Sequence, residues 1–494
     1  MISGSEAAIA HSSAENLHVS VKIRLVAGAI LALMVLIPAW GLILSGHLRG
    51  RGAHDQLNYH EPAIVRFAAD WPRPDVSDYL SATSPGYHLV LAGAAQVLGD
   101  DRLTLQLLGS LFSGAMFAWI GFAISGTLGV RRSVMLALPL LGSMYVFYPA
   151  VWLLPDNAAW LGVIVVLWLA LRARRVSGML IAATLVTTAL VFTRQIHLWV
   201  LGPVWTACYL GSRRGEPEQD RVAWDIRGLV TRDPAGGLIR VSFGLVLAVA
   251  PCGVLAILLR EWGGLTPPLF QGAYHGGNPA APAFILALFG LFAPFYMVFM
   301  WPTVARTIAG NRGGIVVGAA IGLVASLAAA TTYSTEAGRY SGLWNLTRHA
   351  PVVAERSVVI VLLATIGGAL LMAMLGAIGR RDRWVIAAAI VGFIAAQSAS
   401  HELWQRYTEP FVLLVLTMVV AIAPRGMPGF GSGQQRAFAM RTIPVALLGI
   451  LLGAMTCVSI ARARSVKDLE LTKDAKYAVP GWSMPPAVTP FEEK

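Results

Sequence analysis

The residues 54-HDQLNYHEP-62 set two histidines, an aspartate, a glutamate, a tyrosine and amides side by side, just after an apolar run long enough to lie in lipid. A carboxylate at the edge of a membrane can serve as a general base. Partial desolvation raises its pKa, and a nearby arginine lowers it again. Asp55 is the candidate base, with His60 and Glu61 beside it. A second acid, Asp156, stands in 152-WLLPDNAAW-160, a tight turn between two apolar runs. Asp-Asn after proline is also an ordinary turn and helix-cap signal, so a capping role competes with a chemical one there. In 193-TRQIHLW-199, Arg194 and His197 fall where two short apolar runs meet. An ionisable group at membrane depth costs several kcal/mol when unpaired. A planar, multi-donor guanidinium there suits a phosphate, while an interfacial arginine can instead snorkel to lipid headgroups. Two further stretches, 271-QGAYHGGNPAAP-282 and 401-HELWQRYTEP-410, add His275, His401, Arg406, Tyr407 and Glu409. An interfacial aromatic belt accounts for Trp404 and Tyr407 without any function. It does not account for the recurring histidine, arginine and acid.

The elements that must position these groups are membrane helices. Of 494 residues, 56% are hydrophobic and only 13% charged, where a soluble protein carries roughly 25% charged residues. Apolar runs near 24–45, 103–126, 132–153, 158–171, 177–193, 196–211, 240–259, 283–302, 314–333, 357–378, 384–399, 410–424 and 442–461 predict an all-α, polytopic protein with about thirteen spans, between roughly eleven and fourteen. Segment 85–99 is short and reads as an interfacial helix or the start of a further span. The organisation expected is a cytoplasmic N-terminal segment at 1–23, one transmembrane domain at 24–461 with a long first outer loop at 46–102, and a polar tail at 462–494 outside the membrane. No secretory signal peptide is expected ahead of the first span.

The net charge of +12 is placed by topology rather than by nucleic acid. Arg131 and Arg132, Arg172 with Arg174 and Arg175, Arg213 and Arg214, and Arg380, Arg381 and Arg383 cluster in short links. That pattern sets cytoplasmic loops and meets anionic headgroups. The links on the opposite side carry nearly all the chemical-looking histidines, tryptophans and acids. Cys208, Cys252 and Cys457 lie scattered in apolar runs, with neither metal-ligand spacing nor a disulfide framework. The sequence holds no P-loop, GxSxG, HExxH or CxxC. Any synthesis outside the membrane must therefore draw on a pre-activated substrate, and a lipid-phosphate-linked sugar fits. Its leaving phosphate needs an arginine or a metal, and its acceptor hydroxyl needs a carboxylate base.

An acid soon after the first span, a second acid in a later short outer turn and many spans together resemble the C-type (GT-C) integral membrane glycosyltransferases, which use polyprenyl-phosphate sugars. The order of motifs is similar to that of the dolichyl-phosphate-glucose-dependent α-1,2-glucosyltransferases. The family's acid, histidine and proline look like Asp55, His60 and Pro62. Its Trp-Asp-Pro region and Thr-Thr-x-Pro-Gly-x-Tyr motif look like Trp71 to Asp75 and 82-ATSPGYH-88. Its Arg-Gln pair looks like 194-RQIHLW-199, its glycine-rich His-Pro segment like 272-GAYHGGNPAAP-282, and a late Arg-His-Tyr context like Arg406 and Tyr407. The likeness runs through residues 24–425 as islands. It departs where Gln56 replaces a second acid, where the Asp-to-His spacing is one residue longer, and where Ile196 and His197 replace Thr and Asn.

The resemblance implies an inverting transferase at the outer face of the membrane, with Asp55 as general base. Arg194 or Arg406, helped by His401 or His275, would hold the leaving lipid phosphate. Asp156 would shape the acceptor site or bind a metal, and Trp71, Tyr87 and Trp404 would stack on sugar faces. The substrate-binding set is thus His60, Glu61, Trp71, Tyr87, Asp156, Arg194, Gln195, His275, His401, Arg406 and Tyr407. The donor would be a polyprenyl-phosphate hexose, glucose among the candidates, and the acceptor a lipid-linked or envelope glycan. No cofactor is required, although a divalent cation is compatible. The arginine excess over lysine and the Ala/Gly-rich chain suggest a bacterial cytoplasmic membrane. The alternative is a transporter or flippase, which needs ionisable groups near span centres and internal pseudo-symmetry. A membrane scaffold or sensor is a third reading, disfavoured by the paired acid and histidine of the first loop.

Overall fold

The computed structural model describes residues 20–47, 51–172, 175–211, 233–274, 276–423 and 432–465. Within them the chain is almost entirely helical. Strand is confined to the pair Val352–Val353 and Arg356–Ser357, joined by a tight turn in which Ala354 and Glu355 adopt positive φ. Most of the N-terminal segment and of the polar tail lies outside the described residues, and of the connectors expected as cytoplasmic at 211–240 and 425–441 so do 212–232 and 425–431; the rest of each is mainly helix, in Pro234–Leu247 and Ser432–Ser465.

Among the described residues eight helices are long and apolar enough to cross a membrane, or up to nine if the bent pair Met144–Val151 and Asp156–Arg172 forms one span. The difference from about thirteen has local causes. Helix Arg102–Gly142 runs through one expected span and into the next, broken only at Gly129, whose φ of +72° favours a residue without a Cβ. The expected span at 196–211 is a short 3₁₀ turn, Gln195–Val200, followed by the ten-residue helix Leu201–Leu210. Helix Arg312–Ala328 stops at 17 residues. Helix Arg380–Ser398 is long enough but opens on Arg380, Arg381, Asp382 and Arg383. Segment 85–99 forms the thirteen-residue helix Gly86–Leu98.

Hydrophobic area drives little association between helices inside lipid, so close packing through small residues does that work. Helices Val21–Leu44 and Arg102–Gly142 meet backbone to backbone. A Cβ on Gly121 would lie 2.6 Å from the Ala27 carbonyl oxygen, and one on Gly28 would lie 2.7 Å from that of Ala118. Gly290, Gly318, Gly322, Gly367 and Gly368 knit Ala281–Met297, Arg312–Ala328 and Val358–Gly376 in the same way. Helix Gln405–Ile422 occupies the centre, with 89% of its residues buried. Its N-terminal turn therefore opens into the protein interior rather than into lipid.

The arginines expected at headgroups include several that the fold uses internally. Arg381 is buried and donates to the carbonyls of Gly211, Leu171 and Ala170. Arg383 donates to Leu375, Gly376 and Ile378. Both cap helix C-termini, where the last carbonyls lack partners and the helix dipole favours a cation. This arginine-capped end lies at the far end of helix Asp156–Arg172 from Asp156, about 25 Å away along 17 residues. Carboxylates and capping arginines thus occupy opposite ends of one bundle.

Candidate active site

Beyond the first long helix the chain runs as three abutting turns: α-helix Arg51–Asp55, π-helix Gln56–His60 and α-helix Glu61–Ala69. Pro62 explains the widened middle turn. It has no N–H to give the Asn58 carbonyl, and its ring would collide with that carbonyl in a regular α-helix. The backbone answers with an i→i+5 bond from Glu61 N–H to the Gln56 carbonyl. Such π-turns often mark functional sites.

Asp55 sits at the start of this widened turn. Its Oδ2 accepts from Arg406 Nη1 at 2.5 Å, and its Oδ1 lies 3.7 Å from His54 Nδ1. Arg406 belongs to the first turn of Gln405–Ile422, where the helix dipole disfavours a cation. Two carboxylates offset that: Asp55, and Asp156, whose Oδ2 stands 3.9 Å from Arg406 Nη2. Asp156 Oδ1 in turn accepts from Arg194 Nη1. The result is an alternating chain, Asp55–Arg406–Asp156–Arg194, drawn from four separate elements. Asp156 opens helix Asp156–Arg172 after a 118° bend, so its carboxylate is well placed at a helix N-terminus. Arg194 follows helix Val176–Thr193 in an extended conformation.

Tyr407 lies alongside both cations. The Arg194 Cζ is 4.9 Å and the Arg406 Cζ 5.3 Å from its ring centre. Trp404 lies parallel to Tyr407, centres 5.6 Å apart, and Tyr340 meets Trp404 edge-on at 5.5 Å. This aromatic row leads from the charged cluster into the loop that follows helix Arg312–Ala328.

Burial pushes the Asp55 carboxyl up, but the Arg406 charge and the His54 and Arg406 hydrogen bonds outweigh it and hold the carboxyl below its ordinary range. For His60 burial dominates, pushing the ring down to about 4 against the pull of Asp55. His60 is therefore neutral at neutral pH, beside a carboxylate already neutralised by a guanidinium.

The other expected residues fall in different places. Glu61 accepts two bonds from Arg102 Nε, at 2.8 and 2.9 Å, and one from Gln56 Nε2. Gln56 Oε1 accepts from Gln106 Nε2 and the Leu153 N–H. This network ties the outer helix to Arg102–Gly142. Gln195 staples its surroundings. Its Oε1 accepts from the Ser84 N–H and hydroxyl, and its Nε2 donates to the Ala82 and Leu265 carbonyls. Tyr87 is buried, and its hydroxyl has no hydrogen-bond partner. Trp71 is 44% exposed and packs against Gly93. His401 gives its backbone carbonyl to Asn278 Nδ2 at 2.9 Å, within a junction of loops. His275 lies outside the described residues. Among those described, no group of three or more His, Cys, Asp or Glu stands where it could hold a metal ion.

Sequence reading passed over His54 and His88 as site residues, although both lie inside the stretches that drew attention. His88 bonds His60 ring to ring at 2.9 Å. Its signal was its place directly after the Pro-Gly-x island, in 82-ATSPGYH-88. His197, noted beside Arg194, is buried against Trp160, centres 5.2 Å apart, and accepts at Nδ1 from Trp199 Nε1.

No protein-family profile and no curated protein matches this chain. Two solved structures are similar to it. One is ArnT from Cupriavidus metallidurans bound to undecaprenyl phosphate, with a TM-score of 0.41 and 15% identity over 88% of this chain and 77% of that one. The other is the same protein in the apo state, with a TM-score of 0.35 and 14% identity over 80% and 77%.

Proposed function

We propose that this protein is an integral membrane glycosyltransferase that moves a sugar from a polyprenyl-phosphate donor to a hydroxyl of a lipid-linked or envelope glycan, with inversion, at the extracytoplasmic face. The observation that carries this reading is the Asp55–Arg406–Asp156–Arg194 chain, gathered from four elements at the end of the bundle opposite the capping arginines. It combines two guanidiniums suited to a phosphate with a carboxylate suited to a hydroxyl proton. The arginine-rich end supports a cytoplasmic assignment for that end, and hence an extracytoplasmic one for the face that carries the cluster.

The acceptor oxygen attacks the anomeric carbon and its proton passes to Asp55. The bond between that carbon and the phosphate oxygen breaks, and the polyprenyl phosphate leaves with the electron pair and one more negative charge. Arg406 and Arg194 meet that developing charge in a site with little water, where such stabilisation is large. At rest Arg406 holds Asp55, which makes the carboxylate a weak base. A donor phosphate competes for the same guanidinium. As Arg406 turns toward phosphate, burial becomes the main influence on Asp55 and its basicity rises. Donor binding thus precedes and activates proton abstraction. Asp156 keeps both arginines in register, and Tyr407 and Trp404 offer flat faces to a sugar.

The test is turnover. Purified protein receives radiolabelled polyprenyl-phosphate hexoses and pentoses with an extract of membrane lipids and glycans. Label reaching a new product, with free polyprenyl phosphate in equal amount, supports the reading. Donor that binds and is never cleaved overturns it in favour of transport.

A further inference from the structure

Asp55 and His60 are five residues apart, which in a regular α-helix turns them about 140° from one another. The i→i+5 winding of Gln56–His60 closes that angle. His60 accordingly feels the charges of Asp55, Arg406, Asp156 and Arg194 together. Its Nδ1 is already engaged. That atom lies 2.9 Å from His88 Nε2, with the two rings only 20° from parallel. His88 is fully buried and meets Phe67, Tyr79 and Tyr87 edge-on, with centres 6.5, 5.7 and 5.6 Å away. The His88 Nδ1 has no hydrogen-bond partner.

Burial keeps both rings neutral, so one must donate to the other. If His60 Nδ1–H donated, His88 would carry its own proton on Nδ1, as a buried N–H with no acceptor. If His88 Nε2–H donates, Nδ1 is left as an unused lone pair. Orphaned buried N–H groups are rarer than under-used acceptors. The second arrangement fixes the remaining proton of His60 on Nε2.

We propose that His88 is a positioning residue that locks His60 as its Nε2–H tautomer, so that His60 offers the Asp55–Arg406–Asp156–Arg194 cluster a hydrogen-bond donor and not a base. This deepens the glycosyl-transfer reading and rests on it only for the ligand, the phosphate of the lipid-linked donor. Asp55 then remains the base, and His60 joins the arginines as a third donor to that phosphate.

Two variants separate positioning from packing. His88→Gln keeps an N–H at the place of Nε2, and His88→Phe fills the box without one. Protein labelled with ¹⁵N-histidine, in detergent, is read by long-range ¹H–¹⁵N correlation, with the His60 signals assigned by their loss in His60→Gln. Wild type and His88→Gln should show His60 protonated on Nε2 alone, and His88→Phe a mixture of tautomers. Undecaprenyl phosphate binding should weaken roughly tenfold in His88→Phe, the effect of one hydrogen bond to a charged group, and recover in His88→Gln. Nδ1 protonation of His60 in wild type, or an unchanged tautomer in His88→Phe, overturns the proposal. If the tautomer behaves as expected and wild type binds no undecaprenyl phosphate, the donor assignment fails and the positioning role stands.

Discussion

Replacing Arg406 with glutamine should destabilise the protein through one carboxylate, Asp55, and a second substitution should reveal it. At 2.5 Å, and with an effective dielectric of about 20, the Asp55–Arg406 attraction is about 7 kcal/mol gross. Desolvation of both ions offsets much of that. Removing one partner of a buried pair costs about 3–5 kcal/mol, because the other charge stays behind. The side chains of Asp55 and Arg406 retain 16% and 17% exposure, so the lower end, about 3 kcal/mol, applies. Asp156 loses less, since Arg194 still holds it. Asp55→Asn placed on Arg406→Gln should therefore recover about 2 kcal/mol, whereas Asp156→Asn on the same background should recover nothing and strand Arg194. Thermal unfolding midpoints of the four purified proteins, ranked at neutral pH, give the comparison. The pH dependence gives a second reading. In wild type the depressed Asp55 carboxyl contributes stability above its ordinary pKa, and that contribution is lost as pH falls through the folded value. In Arg406→Gln burial becomes the main influence, opposed chiefly by the His54 hydrogen bond, so the deficit should shrink on acidification instead. If Asp55→Asn adds to the damage, or if Asp156→Asn rescues as well as Asp55→Asn does, the alternating network is wrong.

Other outcomes follow from the same contacts. Arg194→Lys keeps the charge but loses the planar fork, and binding of undecaprenyl phosphate measured by calorimetry should weaken about tenfold. His60, buried neutral with its pKa pushed down to about 4, stabilises the fold fully above pH 6.5 and progressively less as pH falls to about 4. The loss is about 3 kcal/mol, and His60→Gln should flatten the thermal midpoint across that window. Gln195→Ala removes four hydrogen bonds from the segment that carries Arg194. It should lower the thermal midpoint by an amount corresponding to about 2–3 kcal/mol. Gly86→Ala places a Cβ 2.6 Å from the Phe192 carbonyl oxygen. The displaced helix should lower the thermal midpoint by about 1–3 kcal/mol and broaden the His60 signals, because Gly86 and His88 share that helix.

The class of fold was legible because lipid imposes one rule on every span, a long run of apolar residues. The count was less so. Periodicity reports where a helix begins, yet it does not say that 102–142 continues past an expected loop or that 196–211 splits into short turns. In the site, Asp55, Asp156, Arg194 and Arg406 drew attention because ionisable residues at membrane edges are expensive. That they would pair with one another was not written in any spacing, since four separate elements bring them together. Glu61 and Gln195 looked equally chemical, but their partners are Arg102 and the loops at 82–84 and 265. His88 carried only the signal of its place after the Pro-Gly-x island, which says nothing of a partner. Its role depends on a π-turn that Pro62 induces two dozen residues earlier, where sequence reading saw only a short amphipathic helix.

The central claim is that Asp55 takes the acceptor's proton while the arginines hold the departing phosphate. Single-turnover transfer from a radiolabelled polyprenyl-phosphate sugar, run with wild type and with Asp55→Asn at equal donor occupancy, tests it most directly. The account predicts that Asp55→Asn binds the donor at least as tightly as wild type, because Arg406 is released to the phosphate, and transfers at least a hundredfold more slowly. Transfer that survives the substitution would contradict it and move the base elsewhere, with Asp156 next in line.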